Sequence, residues 1–230
     1  PKRDWSSDVC SSDLTPQLVV ENIGLDISSY FSYIVHNYDN LPEYMAFLHG
    51  HENSYHQMHD RPMLEVIASA NIEKYKYIPL NNFFRSYPFF NEESNVEGIP
   101  GLMLMDHWKK LGLPPLPYYY VLNCPLCAQF IVARERILNL PKEYWQYLLD
   151  IVTKSPKKEI FIWCVVFEFI LHCILGENAQ MPVASDWFSF DYKVKWWHEL
   201  PQFCYSDKEK QELGIPIEDS SIKKRSWASQ

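Results

Sequence analysis

Two stretches of the chain carry side chains suited to chemistry. "FLHGHENSYH", positions 47–56, sets His49, His51 and His56 around Glu52 and Asn53, directly behind an apolar run. Further along, "FEFILHC" puts Glu168 and His172 four positions apart in an otherwise apolar segment.

If the first stretch is extended, His49 and His51 project to the same side, and His56 returns across a turn. Three neutral imidazoles are a zinc ligand set, with Glu52 or Asp60 as fourth ligand or base. The spacing is that of the H-x-H of metallohydrolases, but Asn53 stands where their aspartate would be. The expectation is therefore no metal; if one binds, its ligands are His49, His51 and His56. A polar rim is the second reading, because open α/β sheets take ligands at the C-terminal ends of their strands. There His49, His51, Asn53, Tyr55 and His56 would hydrogen-bond hydroxyls or phosphate, with aromatic faces stacking on a sugar. The plain alternative makes His49 a satisfied core residue and His56 a helix cap.

On a helix, Glu168 and His172 share a face. A carboxylate buried there must be paired or held protonated, and either makes it a candidate acid or base beside His172. The structural alternative ties Glu168 to Arg134 or Arg136. Gln129 and Arg134 flank one strand candidate, as possible ligand contacts; Arg134 would neutralise a phosphate or pair with Glu168. "CPLC" (Cys124, Cys127) is a lone C-x-x-C with no second ligand pair. Cys164 and Cys173 sit in the apolar run and read as small core residues.

These side chains need elements to hold them. Ile27, Tyr30, Phe31, Ile34 and Tyr38 follow the spacing of an amphipathic helix, with Asp26 as its expected N-cap. "YMAFLH" reads as a short strand and "YKYIPL" as another, with a helix from Pro62 between them. Residues 81–98 read as a long surface loop, and "GLMLMDHWKKLG" as a helix closing at Gly112. "CAQFIVAR" is a strand that runs into a helix interrupted near Pro141. "EIFIWCVVFEFILHCILG" is a central, nearly all-apolar helix. Beyond Met181 the chain is Trp-rich and irregular, a segment expected to wrap the core. Strands alternating with helices predict an α/β fold with a mixed or mostly parallel sheet and flanking helices.

The chain's 230 residues with 47% hydrophobic content allow one sizeable core. A net charge of −8 argues against a nucleic-acid surface, and no apolar run reaches the length of a membrane span. "DWSSDVCSSDL", Asp4–Leu14, matches one reading frame of a widely used sequencing adapter, so residues 1–14 are expected to be a non-native tail. On that reading the native start is missing and localisation cannot be read. A single domain is then expected over 15–205, with a C-terminal tail over 206–230.

The segment "NIGLDISSYFSYIVHNYDNLPEYMAFLHGHENSYH" resembles the signature of the domain-of-unknown-function 3431 family. That family reads N-x-G-x-E, then Y-L-x-x-I-x-x-N-Y-D-x-L-P, then F-x-H-x-H-x-x-x-W-H. "CAQFIVARERILNLPKEYWQYLL" and "FEFILHCILGE" resemble its second block, so the likeness runs from Asn22 to Glu177. Asp26 stands for the family's glutamate and Tyr55 for its tryptophan, and the family's opening strand is not found before Asn22. The family carries no established activity. A further likeness, of the strand, the Tyr/Trp helix and the glutamate helix, is to the second half of GT-A nucleotide-sugar glycosyltransferases. It implies a GT-A- or Rossmann-like fold, a carbohydrate or nucleotide-sugar partner, and Glu168 as base or acceptor anchor. The D-x-D metal motif of those enzymes is missing from the chain, and no cofactor is identified. A non-catalytic carbohydrate-binding or scaffold domain and a zinc-dependent hydrolase are the alternatives.

Overall fold

The computed structural model describes residues 23–50, 61–81, 83–88, 95–96, 99–114, 121–125, 128–192 and 195–196. All of them belong to one compact unit, 1–197; the second unit, 198–230, lies outside the described residues.

Helix α1 (Leu25–Asn37) forms where the apolar spacing predicts it, burying Ile27, Tyr30, Phe31 and Ile34. Its N-cap is Gly24, not Asp26, which instead lies in the first turn. Glycine is required there by crowding: a Cβ on Gly24 would stand 2.9 Å from both the Val152 carbonyl oxygen and the Ser28 Cβ. Leu25 takes φ +53, a left-handed conformation unusual for a side chain of its size. A 3-10 turn (Tyr38–Asn40) and Pro42 end the element and lead into β1 (Tyr44–Phe47).

After β1 the described chain resumes with α2 (Met63–Ala68) and β2 (Tyr77–Pro79). The central strand of this sheet arrives later, as β7 (Phe130–Ala133), giving the order β1-β7-β2. Both neighbours pair with it antiparallel, in registers Phe47↔Phe130 and Pro79↔Phe130. Among the described residues this sheet is antiparallel, where the alternation of elements led to a mixed or mostly parallel one and the glycosyltransferase likeness to a GT-A- or Rossmann-like one. The reason is visible in the directions. β1 and β2 do run parallel to each other, joined through α2, but they are split apart by an antiparallel third strand. Local alternation carries the first fact and has no means of carrying the second.

One face of this sheet meets α1: Tyr30 lies 5.0 Å from Phe47 and 6.1 Å from Phe130, ring centre to ring centre. β7 is buried along its whole length, as a central strand should be. From it the chain passes straight into α4 (Arg134–Leu138), and Pro141 starts α5 (Lys142–Lys154). The buried stripe of α5 (Trp145, Leu148, Val152) packs against α1. Phe31 is held between Trp145 at 5.9 Å and Phe167 at 5.1 Å, the latter on α6 (Lys157–Ile174). α6 is buried over most of its circumference, which explains its all-apolar sequence. Among the described residues, no helix is long and apolar enough to cross a membrane.

The segment expected as a surface loop contains β3 (Phe83–Pro88) and the short pair β4 (Asn95–Val96) and β5 (Ile99–Pro100), before α3 (Gly101–Lys110). β3 pairs antiparallel with β6 (Val121–Pro125) and parallel with β8 (Lys195–Trp196), so this second sheet is mixed. The strand was masked in sequence by Pro88 and by a lack of strict alternation; its pairing partner supplies what its own pattern lacks. The Trp-rich segment is described through residue 192 and at 195–196. Trp187 and Phe188 are buried, and Phe188 bridges to Ala70. Asp186 accepts hydrogen bonds from Lys74 and Tyr75.

Candidate functional site

The C-terminal ends of β1 and β2 and the start of β7 converge on one edge of the first sheet. Three residues just outside the strands meet there: His49, Asn81 and Gln129. The Gln129 side chain bridges the other two. Its Oε1 accepts from the His49 backbone N–H at 3.0 Å, and its Nε2 donates to Asn81 Oδ1 at 3.0 Å. The Gln129 carbonyl also accepts from the Leu80 N–H at 2.9 Å. Gln129 and Asn81 are 2% and 1% exposed, so this is a buried amide brace. Gln129, expected as a ligand contact, holds the point where the chain leaves β1.

The His49 ring itself turns toward α1. His49 Nε2 lies 3.6 Å from Asp26 Oδ2, an ion-pair separation when the imidazole is protonated. The histidine side chain is 10% exposed and the aspartate 50%, so the carboxylate is the outer member. α1 runs back along β1, bringing Asp26 to His49 and, one and two turns on, Tyr30 and Tyr33 to Phe47. His51, Asn53, Tyr55 and His56, the other residues of the histidine stretch, lie outside the described residues.

α6 approaches the same corner from behind. The Cys164 thiol donates to the Gly24 carbonyl at 3.2 Å. Its pKa is pushed up to about 12, chiefly by burial, then by the negative charges of Glu168 and Asp26. Glu168, half-buried, follows Cys164 by four positions and so shares its face of α6. Of these two carboxylates, Asp26 is the one that His49 faces.

The other candidates lie elsewhere. Arg134 sits at the far end of β7, five residues of extended chain or about 16 Å from Gln129. There it is exposed and bonds the Leu41 carbonyl at 3.1 Å. Arg136 pairs with Glu177 at 2.8 Å and reaches the Gly176 carbonyl. His172 is 1% exposed, and burial lowers its pKa to about 4, against backbone hydrogen bonds with Ala179 and Phe169. It is a neutral core histidine one turn past Glu168, enclosed by protein rather than open to a substrate. Cys164 is a buried core thiol as expected, and Cys173 is half-buried with its thiol likewise raised to about 12 by burial.

Among the described residues, no group of three or more His, Cys, Asp or Glu is arranged to hold a metal ion. An open groove lies between α1 and α5, lined by Ser28, Ser32, Gln146, Leu149, Asp150 and Lys154. It is on the opposite flank of α1 from Asp26, and its walls carry no histidine.

Sequence reasoning missed two members of the corner. Asp26 was read as a cap, although its place after Gly24 in the N-x-G-x-D run was a signal. Asn81 carried none: an asparagine after a strand is ordinary turn chemistry.

A family model described as "Protein of unknown function (DUF3431)" matches residues 2–186. No curated protein and no solved structure matches the chain.

Proposed function

The chain belongs to the DUF3431 family, and from that premise we propose that it handles a sugar or nucleotide-sugar at the Asp26–His49 corner, with glycosyl transfer as its activity. One observation carries the reading: the His49 imidazole at the end of β1 faces the Asp26 carboxylate at the start of α1, where α6 also arrives through the Cys164–Gly24 hydrogen bond. An acceptor hydroxyl must lose a proton as it attacks, and a positioned carboxylate or imidazole takes it. His49 is held by its backbone through Gln129 and faced by Asp26 through its ring, which is the arrangement of an oriented base. Glu168 supplies a second carboxylate, as base or acceptor anchor. The half-buried Tyr33 ring, on the Asp26 stripe of α1, offers a stacking face for a pyranose.

The test is a panel of nucleotide-sugars and free oligosaccharides, with products read by mass spectrometry and binding by calorimetry. His49→Ala and Glu168→Gln should each lower turnover by about 100-fold or more. Binding without turnover moves the domain to the non-catalytic carbohydrate-binding reading. Neither binding nor turnover ends the proposal. Stoichiometric zinc, lost in a His49→Ala/His51→Ala variant, would install the hydrolase instead. The adapter origin of residues 4–14 is a separate proposal. The family match takes in that stretch, and sequencing the gene's 5′ end decides the matter.

A further inference from the structure

We infer that Asn81 is a positioning residue of the Asp26–His49 corner, acting on His49 through the side chain of Gln129. β1 pairs with β7 as far as Phe47↔Phe130, and β2 as far as Pro79↔Phe130. His49 and Asn81 thus each lie two residues past the end of their ladder, on either side of the entry to β7. A backbone N–H shielded from water needs an acceptor. For His49 that acceptor is Gln129 Oε1, at 3.0 Å.

The polarity of the relay starts from this N–H. A backbone N–H cannot become an acceptor, so the oxygen of the Gln129 amide must face it and the amide NH2 must point away. What stands on that other side has to accept, and it is Asn81 Oδ1 at 3.0 Å. With the amide turned over, N–H would meet N–H at His49 and oxygen would meet oxygen at Asn81. Asn81 therefore holds the Gln129 amide in the orientation that receives His49. Its own place is set by its neighbours. The Leu80 N–H donates to the Gln129 carbonyl at 2.9 Å, which fixes the separation of the two side chains. The buried Leu80 and Phe84 anchor the chain before and after it. Both amides are buried as well, so bulk water does not stand in for a lost partner.

Amide hydrogen exchange of the full chain tests the relay, read as the rate at His49 relative to the rate at Ala133. The Ala133 N–H is held by the Lys76 carbonyl at the opposite end of β7, so a loss of stability shared by the whole sheet raises both rates together. His49 itself is the readout, which keeps the result separate from whether the corner binds a sugar. Asn81→Leu should raise the ratio by about tenfold or more, the equivalent of one lost hydrogen bond. Gln129→Leu should raise it at least as far. The double variant should go no further than Gln129→Leu alone, because the relay is then already cut. Asn81→Ser, whose hydroxyl is too short to reach Gln129, gives the same reading should the leucine variants fail to fold. An unchanged ratio in Asn81→Leu or Asn81→Ser overturns the inference, and so does a double variant whose ratio is the product of the two single effects.

Discussion

The two ends of the three-stranded sheet are built on different chemistry. At the end where β1 and β2 finish, two buried neutral amides, Gln129 and Asn81, are joined to each other and to the backbone of the half-buried His49, with Asp26 outside them. At the end where β7 finishes, the side chains are charged and mostly exposed. Lys76 lies 3.8 Å from Glu135, Lys142 bonds Asp39 at 3.0 Å, and Arg136 bonds Glu177 at 2.8 Å. Exposed ion pairs tolerate water and contribute little. A buried amide that loses its partner has no water to replace it. The first end therefore holds one geometry, while the second exchanges its ion pairs with water at little cost.

That contrast can be tested by damage, and the largest effect belongs beneath the charged end. His172 lies under it: the Glu177 N–H bonds the His172 carbonyl, and Glu177 pairs with Arg136. The folded-state pKa of His172 is lowered to about 4 from 6.5 by burial. Below pH 6.5 the unfolded chain takes up a proton that the folded chain refuses. Stability is thus lost as pH falls from about 6.5 to about 4, to a total of about 3 kcal/mol. Urea midpoints at pH 7 and pH 4.5 should fall less steeply in His172→Gln than in the parent chain. Equal slopes would mean that His172 is not a neutral buried group.

Gln129→Leu comes next. It leaves the His49 N–H and the Asn81 amide without their acceptor and donor, at about 1–3 kcal/mol, and frees the chain after β1. The urea midpoint should drop and sugar affinity should fall with it. Gly24→Ala falls in the same range, about 1–3 kcal/mol, because the new Cβ meets Val152 and Ser28 at 2.9 Å. It should also displace Asp26 from His49, so its loss of binding should exceed that of a distant substitution of equal stability. Lys142→Ala at the charged end is the smallest, at about 0.5 kcal/mol or less, and that small effect should vanish in high salt. If Lys142→Ala cost as much as Gln129→Leu, the distinction between the two ends would be wrong.

How much of this the sequence discloses differs by level. Helical spacing locates α1 and α6 and the break at Pro141, because these depend on neighbours three and four residues away. It also locates β1 and β7, as short apolar runs with turn signals beside them. Sheet order is another matter: β7 inserts between β1 and β2 through pairing with chain dozens of residues away, which no local period records. β3 fails for the same reason, being stabilised by β6 rather than by its own pattern. At the site, His49 and Glu168 stand out by residue type. Asp26 looks like an ordinary helix cap until Leu25 adopts its left-handed φ and the helix begins two positions earlier, with Gly24 as its cap. Gln129 and Arg134 look alike from sequence, since both flank one strand; only the direction of β7 sends them to opposite ends.

The most direct test of the corner as the binding site is histidine imidazole NMR during titration with a neutral oligosaccharide. The His49 ring, 3.6 Å from Asp26, should shift in a saturable manner, while the enclosed His172 ring should not move. A saturating ligand that leaves His49 unmoved, with perturbations confined to the Arg134 and Arg136 end, would contradict the account.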